Sequence, residues 1–203
     1  MDPADDDPAD DIVVETDRLV LRRFTGNDRE LLVELDGDPA VMRYLTGGRI
    51  TPRLRVETAM LPAILRDYDR HPGFGAFATH TRADGEFIGW CMLVPEDGGR
   101  PGEAELGYRL RKAAWGKGYA AEGSRALIEL GFTRRGLTRI FAETMAVNTR
   151  SRRVMEKVGL RYELTYFPPF APIEGFEHGE VRYVLDHAEW YTASQRKNLQ
   201  ELS

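Results

Sequence analysis

Two glycines, Gly116 and Gly118, lie in a short loop that could bind an anion. The loop follows a predicted strand at Ala104–Leu110 and opens a predicted amphipathic helix that runs to about Arg134. A second strand is predicted at Thr138–Thr144, and this spacing is typical of a parallel strand–helix–strand unit. Backbone N–H groups in such a loop, together with the positive end of the helix dipole, attract phosphate. The sequence therefore predicts a site for a pyrophosphate.

Two common phosphate-binding motifs do not fit this loop. A P-loop requires Gly-x-x-x-x-Gly-Lys-Ser/Thr, whereas Arg111 occupies the position of the first glycine and Gly118 that of the hydroxyl residue. The dinucleotide motif Gly-x-Gly-x-x-Gly/Ala is matched by Gly116, Gly118 and Ala121. However, five residues separate it from Leu110, and roughly half of the chain lies upstream. A dinucleotide fold places the motif directly after its first strand, so this motif is also excluded.

Three linked segments of the chain form a more specific pattern. They are Thr16–Arg23 (TDRLVLRR), Trp115–Glu122 (WGKGYAAE) and Asn148–Leu160 (NTRSRRVMEKVGL). In order and spacing they resemble the GNAT superfamily of N-acetyltransferases, and within it the branch of RimJ/RimL-type ribosomal-protein alanine acetyltransferases. The superfamily motif is Gln/Arg-x-x-Gly-x-Gly/Ala; both glycines are present here, but Ala113 occupies the Gln/Arg position. The resemblance covers about residues 14 to 191.

This resemblance implies that acetyl-coenzyme A binds at the loop as a co-substrate. Backbone N–H groups from Trp115 to Ala120 would donate to the pyrophosphate, and Lys117 would add a positive charge. In family members the two parallel strands separate beside the thioester, so that the pantetheine arm pairs with free backbone groups. Tyr108 is either part of this site or only a good strand former. The coenzyme-binding residues expected are Tyr108, Leu110, Arg111, Trp115, Gly116, Lys117, Gly118, Tyr119, Ala120, Asn148 and Ser151.

Two carboxylates are candidates for the general base that deprotonates an amine. Glu105 and Glu143 lie one on each predicted strand beside the cleft, and a carboxylate in a central strand must face a cavity, water or a partner. Glu105 matches the glutamate that often precedes Gly-Tyr in this branch, so it is the first candidate, acting directly or through water. A structural ion pair is the alternative role for Glu105. His178, in the loop expected near the acceptor, is a weaker candidate.

The segment after the second strand carries the candidate proton donor for the leaving thiolate. Asn148 is a strong N-cap residue for the helix that follows, and we expect it to contact the pantetheine arm as well. Ser151, Val154, Met155 and Val158 follow a helical spacing, which directs Ser151 inward. In many family members a tyrosine at the position of Met155 acts as the general acid. Ser151 is expected to replace it here. Alternatively, its hydroxyl satisfies a carbonyl of its own helix.

Composition indicates a soluble, single-domain protein. Six of the 33 acidic residues are aspartates within residues 1–11, which leaves 27 against 28 Lys and Arg. That segment is expected to be disordered, with a role in partner binding left open. The chain has no basic stripe and no apolar run of about 18 residues, so we expect it to bind neither nucleic acid nor a membrane. Its N-terminus is acidic where a signal peptide needs a basic flank, so we expect a cytoplasmic location. The four histidines lack metal-ligand spacing, and a single cysteine, Cys91, excludes an internal disulfide.

The predicted fold is α/β: a single GNAT-like domain with a mixed central sheet flanked by helices, in the order β-α-α-β-β-β-α-β-α-β-β. The domain is expected at residues 12–191, between the acidic tail 1–11 and a polar tail 192–203. Outside the central unit, the predicted elements are a strand at Val14–Phe24, a helix at Asp28–Asp36, a helix capped by Asp38-Pro39, a helix from Thr51-Pro52 to about Arg70 bent by Pro62, strands at Gly75–Thr81 and Glu86–Pro95 joined by a turn at Ala83–Gly85, and strands at Leu160–Phe167 and Glu180–Leu185.

The predicted function is acetyl-coenzyme A dependent N-acetylation of a primary amine by direct attack, without an acyl-enzyme, because the lone Cys91 is an unlikely nucleophile. The acceptor stays open among a protein N-terminal amine, a polyamine, an amino acid and an antibiotic amine. A non-catalytic acyl-coenzyme A sensor with the same fold is the alternative. The oligomeric state stays open, with a homodimer as the candidate because it is common among similar proteins.

Overall fold

One eight-stranded mixed sheet forms the centre of the protein, with strand order β1-β2-β3-β4-β5-β6-β8-β7. The computed structural model describes residues 12–169 and 173–201, so the acidic segment 1–11 lies outside it. The strands are β1 (Ile12–Glu15), β2 (Leu19–Arg23), β3 (Gly75–Thr81), β4 (Phe87–Val94), β5 (Glu103–Leu110), β6 (Arg139–Met145), β7 (Arg161–Tyr166) and β8 (Glu180–Asp186). Neighbouring strands are antiparallel, except that β5 and β6 are parallel. The predicted α/β class and mixed sheet are confirmed.

Helices flank the sheet on both faces. They are α1 (Arg29–Asp36), α2 (Arg43–Thr46), α3 (Arg53–Arg55), α4 (Leu61–Arg70), α5 (Tyr119–Arg134), α6 (Thr149–Lys157) and α7 (His187–Glu201). On one face, Leu127 of α5 and Met155 of α6 share an apolar cluster with Leu106 of β5. On the other, Leu32 of α1 packs in a second cluster with Phe87 of β4. This second cluster includes residues of β3 and β4 but not of β5 and β6, where the charged side chain of Glu105 lies on the same face beside Phe141.

The N-terminal strand prediction was wrong in one respect. Val14–Phe24 is not one strand, because the chain reverses after Glu15 and forms the antiparallel pair β1 and β2. Thr16 closes the turn: its N–H donates to the Leu19 carbonyl at 2.9 Å, and its Oγ1 accepts from the Leu19 N–H at 2.9 Å. The turn contains neither Gly nor Pro, and its hydrogen bonds come from Thr16, so Asp17 was the one residue type in the sequence that marked the boundary.

The helices between β2 and β3 also differ from the prediction. The helix predicted after Asp38-Pro39 begins only at Arg43, since Asp38 Oδ1 accepts from the Ala40 N–H in a turn instead. The longer helix to Arg70 is present, but α3 and α4 are joined by a π-helical turn at Val56–Met60. That turn ends two residues before Pro62, whose missing N–H interrupts the regular hydrogen-bond ladder.

The C-terminal helix α7 was not predicted. It runs from His187 to Glu201 and therefore crosses the expected boundary between residues 191 and 192. Trp190 packs against Phe132 near the end of α5, with ring centroids 5.3 Å apart. The segment has no strong apolar stripe, and this aromatic contact between distant parts of the chain positions it.

Candidate active site

The loop before α5 has the backbone geometry of an anion cradle. Gly116 and Gly118 adopt left-handed φ angles of 76° and 84°, which residues with a Cβ rarely adopt. Gly118 is the residue before the first turn of α5, a helix of 16 residues, and no side chain caps that end. Its first N–H groups are therefore available to an anion. A Cβ placed on Gly116 would meet no atom within 4 Å, so the loop backbone can be approached closely.

Arg18 fixes this loop from the start of β2. Its Nη1 donates to the Lys117 carbonyl at 3.0 Å, its guanidinium pairs with Glu122 at 2.5 Å, and it stacks 4.7 Å from the centre of the Tyr119 ring. The hydroxyl of Thr16 also donates to Glu122, at 2.6 Å. Although burial opposes ionisation, these hydrogen bonds hold the pKa of Glu122 below its usual value. The contacts give a physical reason for the linked occurrence of the Thr16–Arg23 and Trp115–Glu122 segments.

Other residues expected at the coenzyme support the loop from behind. Trp115 Nε1 donates to the carbonyl of buried Leu110 at 2.8 Å. The guanidinium of Arg150 lies 5.5 Å from the centre of the Trp115 ring. Arg111 pairs instead with Glu34 of α1, at 2.7 Å. A cavity of about 480 Å³ adjoins the loop. Its basic lining residues are Arg18, Arg82, Arg111 and Lys117, of which Arg18 and Arg82 were not expected from the sequence.

The parallel strands β5 and β6 separate beside this loop. Their register pairs only Glu103–Glu105 with Arg139–Phe141. Beyond these pairs β5 continues to Leu110 and β6 to Met145. Along these stretches the backbone N–H and C=O groups of the two facing edges are not paired with each other. Backbone groups without a partner need one from elsewhere. The opening therefore suits an extended amide-containing chain such as a pantetheine arm, which fits the expectation from the family resemblance.

The two candidate bases face the side of the opening away from α5 and α6. Glu143 is held in place, because Arg182 Nε donates to it at 2.6 Å and the Tyr166 hydroxyl at 2.6 Å. Glu105 makes no hydrogen bond or ion pair to any residue in the described part of the chain. His178 is exposed, next to Glu177. The geometry thus favours Glu105 over Glu143 as the group free to accept a proton.

The electrostatic surroundings of Glu105 raise its pKa. Burial raises its pKa to about 7, and the negative charges of Glu143, Glu96 and Glu180 add to the effect, with Arg182 opposing it. A carboxylate near this pKa is about half ionised at neutral pH and returns its proton readily. Perturbed carboxyl groups in clefts are typical of functional sites.

Helix α6 brings a hydroxyl pair to the other side of the opening. Asn148 caps the helix as predicted: its Oδ1 accepts from the Ser151 N–H at 3.3 Å, and its Nδ2 donates to Thr144 Oγ1 at 3.0 Å. Ser151 faces inward, with its Oγ 2.9 Å from the hydroxyl of Tyr108 on β5. Met155 is 2% exposed and packs in the core. The predicted inward stripe of α6 is confirmed, and Tyr108 contacts the candidate donor Ser151.

Comparison with known proteins identifies the family. The family model described as acetyltransferase (GNAT) domain matches residues 18–161, which include the loop, both strands and α6. The chain belongs to the GNAT acetyltransferase family. The predicted superfamily is therefore confirmed, and with it the assignment as an N-acetyltransferase that uses acetyl-coenzyme A.

Three proteins similar to this chain are one relative and two solved structures. A relative from Aspergillus fumigatus, named FsC-acetyl coenzyme A-N(2)-transacetylase, is 36% identical over 185 residues, which are 87% of this chain and 77% of the relative. The structure of RimL, a ribosomal L7/L12 α-N-protein acetyltransferase in complex with coenzyme A, is 18% identical with a TM-score of 0.72, covering 86% of this chain and 97% of that one. Aminoglycoside acetyltransferase AAC(6')-Ib in complex with coenzyme A is 22% identical with a TM-score of 0.68, covering 86% and 98%. The two structures share the fold.

In this GNAT acetyltransferase the lone cysteine is not placed for chemistry. Cys91 is fully buried on β4, and burial raises the pKa of its thiol to about 12. Its Sγ would lie 2.8 Å from a Cβ on Gly123, so the thiol packs under α5. A thiol that stays protonated is a poor nucleophile, which supports transfer without an acyl-enzyme.

The described part of the acetyltransferase comprises residues 12–169 and 173–201. Within it, His, Cys, Asp and Glu side chains do not gather into a group of three or more that could hold a metal ion. The helices in the same residues are too short or too polar to cross a membrane.

Replacing Gly116 with valine should weaken acetyl-coenzyme A binding by roughly fivefold or more, which is about 1 kcal/mol. The side chain strains a left-handed backbone and obstructs the approach to the loop. Gly136→Val is the matched control, since Gly136 has a φ of 66°, an open Cβ position and lies beyond the opposite end of α5. Calorimetry on both variants should show the loss only at Gly116. Equal affinities in two folded variants would place the coenzyme elsewhere.

Glu105→Gln should raise stability at alkaline pH. The folded-state pKa of about 7 lies above the unfolded value, so this group's contribution is fully present in acid and is lost as pH rises through 7. An uncharged glutamine avoids that loss, which we place on the order of 1 kcal/mol after solvent screening. Thermal melts should show a higher Tm for Glu105→Gln at pH 8.5 and no gain at pH 4.5. Exposed Glu129→Gln should change neither, and a gain at pH 4.5 would refute the electrostatic cause.

Proposed function

We propose that this acetyltransferase moves an acetyl group to a primary amine by direct attack, with Glu105 as the base and Ser151 as the donor to the leaving sulfur. The observation that carries the proposal is the opening between β5 and β6. Glu105 lies on one face of the sheet at this opening, while Ser151 lies with Tyr108 on the other. A base can thus deprotonate the amine from one face of the sheet while a hydroxyl protonates the leaving sulfur from the other.

Each residue has one task in this scheme. When bound, acetyl-coenzyme A supplies an acetyl group activated as a thioester. Glu105 accepts the proton that the amine loses as the new C–N bond forms. Unpaired N–H groups on the β5 edge donate to the carbonyl oxygen as negative charge develops there. Ser151 donates its proton to the sulfur as the C–S bond breaks, and that proton leaves with the thiol product. The proton that Glu105 accepted reaches the serine oxygen through water, so that both residues regain their starting forms.

The acceptor that we propose is the amine of a small molecule, with a protein N-terminus as the second possibility. The relative from Aspergillus fumigatus is named for transfer to an N(2) nitrogen, and its 36% identity is the strongest support for a small molecule. The charges around Glu105 add to this, because Glu96, Glu143 and Glu180 raise its pKa. The same negative field attracts a cationic amine and repels a free carboxylate. An α-amine whose carboxyl group is blocked as an ester or amide therefore suits the site better than a free amino acid does.

A turnover assay tests the proposal. The enzyme is incubated with acetyl-coenzyme A and one of spermidine, kanamycin, alanine methyl ester, free alanine or an alanine-terminated peptide, and thiol release is followed. We expect amine-dependent release, faster with alanine methyl ester than with alanine, and none with N-acetylated acceptors. Coenzyme binding by calorimetry without release from any amine would instead support the non-catalytic sensor, which the comparisons do not favour.

The homodimer stays a candidate, and the cytoplasmic location stays a prediction. Sedimentation of the purified full chain would test the first, and cell fractionation the second. Contact of Asn148 with the pantetheine arm also stays a prediction. Its amide bonds Ser151 and Thr144 and keeps a second N–H and a second lone pair for such a contact.

A further inference from the structure

The Tyr108 hydroxyl lies within hydrogen-bonding distance of two atoms of Ser151. It is 2.9 Å from Oγ and 3.0 Å from the carbonyl oxygen. Tyr108 is on β5 beyond Glu105, the last residue that pairs with β6, and Ser151 is in the first turn of α6. The contact therefore connects the strand to the helix at the opening itself.

We infer that Tyr108 is a positioning residue for the leaving-group step, and that its hydroxyl holds Ser151 Oγ where the serine proton can reach the sulfur. This inference rests on the proposed function, in which Ser151 is the donor. It assigns Tyr108 a role in catalysis that is distinct from the coenzyme contact expected from the sequence.

The need for such a residue follows from the freedom of a serine side chain. Its hydroxyl rotates and, in the first turns of a helix, often bonds back to a backbone carbonyl, where its proton serves no acceptor. A second hydroxyl at 2.9 Å removes that freedom. Met155, buried in the core, carries no donor that could replace it.

The two contacts of Tyr108 define two arrangements of the same atoms. A phenol has one proton, so it donates either to the Ser151 carbonyl or to Oγ. In the first case the Ser151 hydroxyl donates to the phenol oxygen. In the second it accepts from the phenol, and its own proton is available to another acceptor. Negative charge growing on the sulfur favours the second, because a hydrogen bond to an ionised acceptor is stronger and each bond in a chain polarises the next.

The phenol also stays protonated, as this role requires. Burial raises the pKa of Tyr108 well above its usual value, and the hydrogen bond from Ser151 opposes this only in part. Tyr108 therefore remains a donor throughout the pH range in which Glu105 titrates, and removing its hydroxyl should not move the pH dependence that Glu105 sets.

The test is a double-mutant cycle with Tyr108→Phe and Ser151→Ala, using acetyl-coenzyme A and the best acceptor of the panel above. Tyr108→Phe should lower kcat by about three- to tenfold, with the acetyl-coenzyme A affinity within about twofold of wild type. Ser151→Ala should lower kcat by about tenfold or more, and the double variant should be no slower than Ser151→Ala. The midpoint of the rising limb of the pH profile should stay unchanged in Tyr108→Phe.

Tyr183→Phe is the matched control for loosening of α6. The Tyr183 hydroxyl bonds Arg152 at 3.1 Å and Glu156 at 2.9 Å, so it holds the same helix through other residues. We expect its kcat to be close to that of wild type. Additive losses in the double variant, or an equal loss in Tyr183→Phe, would overturn the inference while leaving the proposed function standing. Absence of wild-type turnover with the whole panel would overturn both.

Discussion

Glu105→Gln should lower kcat/KM by roughly ten- to a hundredfold near neutral pH when the acceptor is an α-amine, and the loss should shrink as the pH approaches 9. An α-amine has a pKa of about 7.7 to 8.0, so at high pH it deprotonates without help. Wild type should show a rising limb centred near pH 7, where the raised pKa of Glu105 makes the base available. The measurement is a pH–rate profile of both proteins.

The class of acceptor changes this result in a predictable way. A polyamine or lysine amine, near pKa 10.4, stays almost wholly charged up to pH 9. For such an acceptor the loss in Glu105→Gln should remain large over the whole range. The profile of this one variant therefore reports on the acceptor as well as on the base.

Glu143→Gln is the matched control, because Glu143 lies on the same face but is held by Arg182 and Tyr166. Its negative charge helps to raise the pKa of Glu105, so its removal should shift the rising limb to lower pH and leave the plateau nearly unchanged. If Glu105→Gln instead follows wild type at every pH while Glu143→Gln is inactive, Glu143 is the base.

Ser151→Ala should reduce kcat by about tenfold or more while acetyl-coenzyme A binding changes little. The expected loss is confined to the step in which the sulfur departs, since the serine hydroxyl is the proposed donor. Alanine keeps the helix, and the N–H of residue 151 can still bond to Asn148 Oδ1. Steady-state kinetics and calorimetry on the same preparation separate the two effects.

Met155→Leu is the packing control for that result. Met155 lies one turn further along the inward face of α6 and is 2% exposed, so a leucine of similar volume should be nearly silent. Equal reductions of kcat in Ser151→Ala and Met155→Leu would indicate that packing of α6, and not a serine proton, controls turnover.

The sequence by itself determined the features that depend on near neighbours. The left-handed turns at Gly116 and Gly118, the Asn148 cap and the hairpin at Ala83–Gly85 each rest on residues close in the chain. The parallel pairing of β5 with β6 followed from the length of the crossover helix. Such features are set by allowed dihedral angles and local hydrogen bonds, which the residue type largely decides.

Only the tertiary structure decided which side chains are free to act. Glu105 and Glu143 are the same residue type on adjacent strands, yet Arg182, 39 residues further along the chain, pairs with Glu143 and leaves Glu105 without a partner among the described residues. Tyr108 and Ser151 meet across 43 residues. The raised pKa of Glu105 and the alignment of Ser151 depend on burial and on distances between remote segments. Those quantities arise when the sheet assembles, and no local pattern of residues contains them.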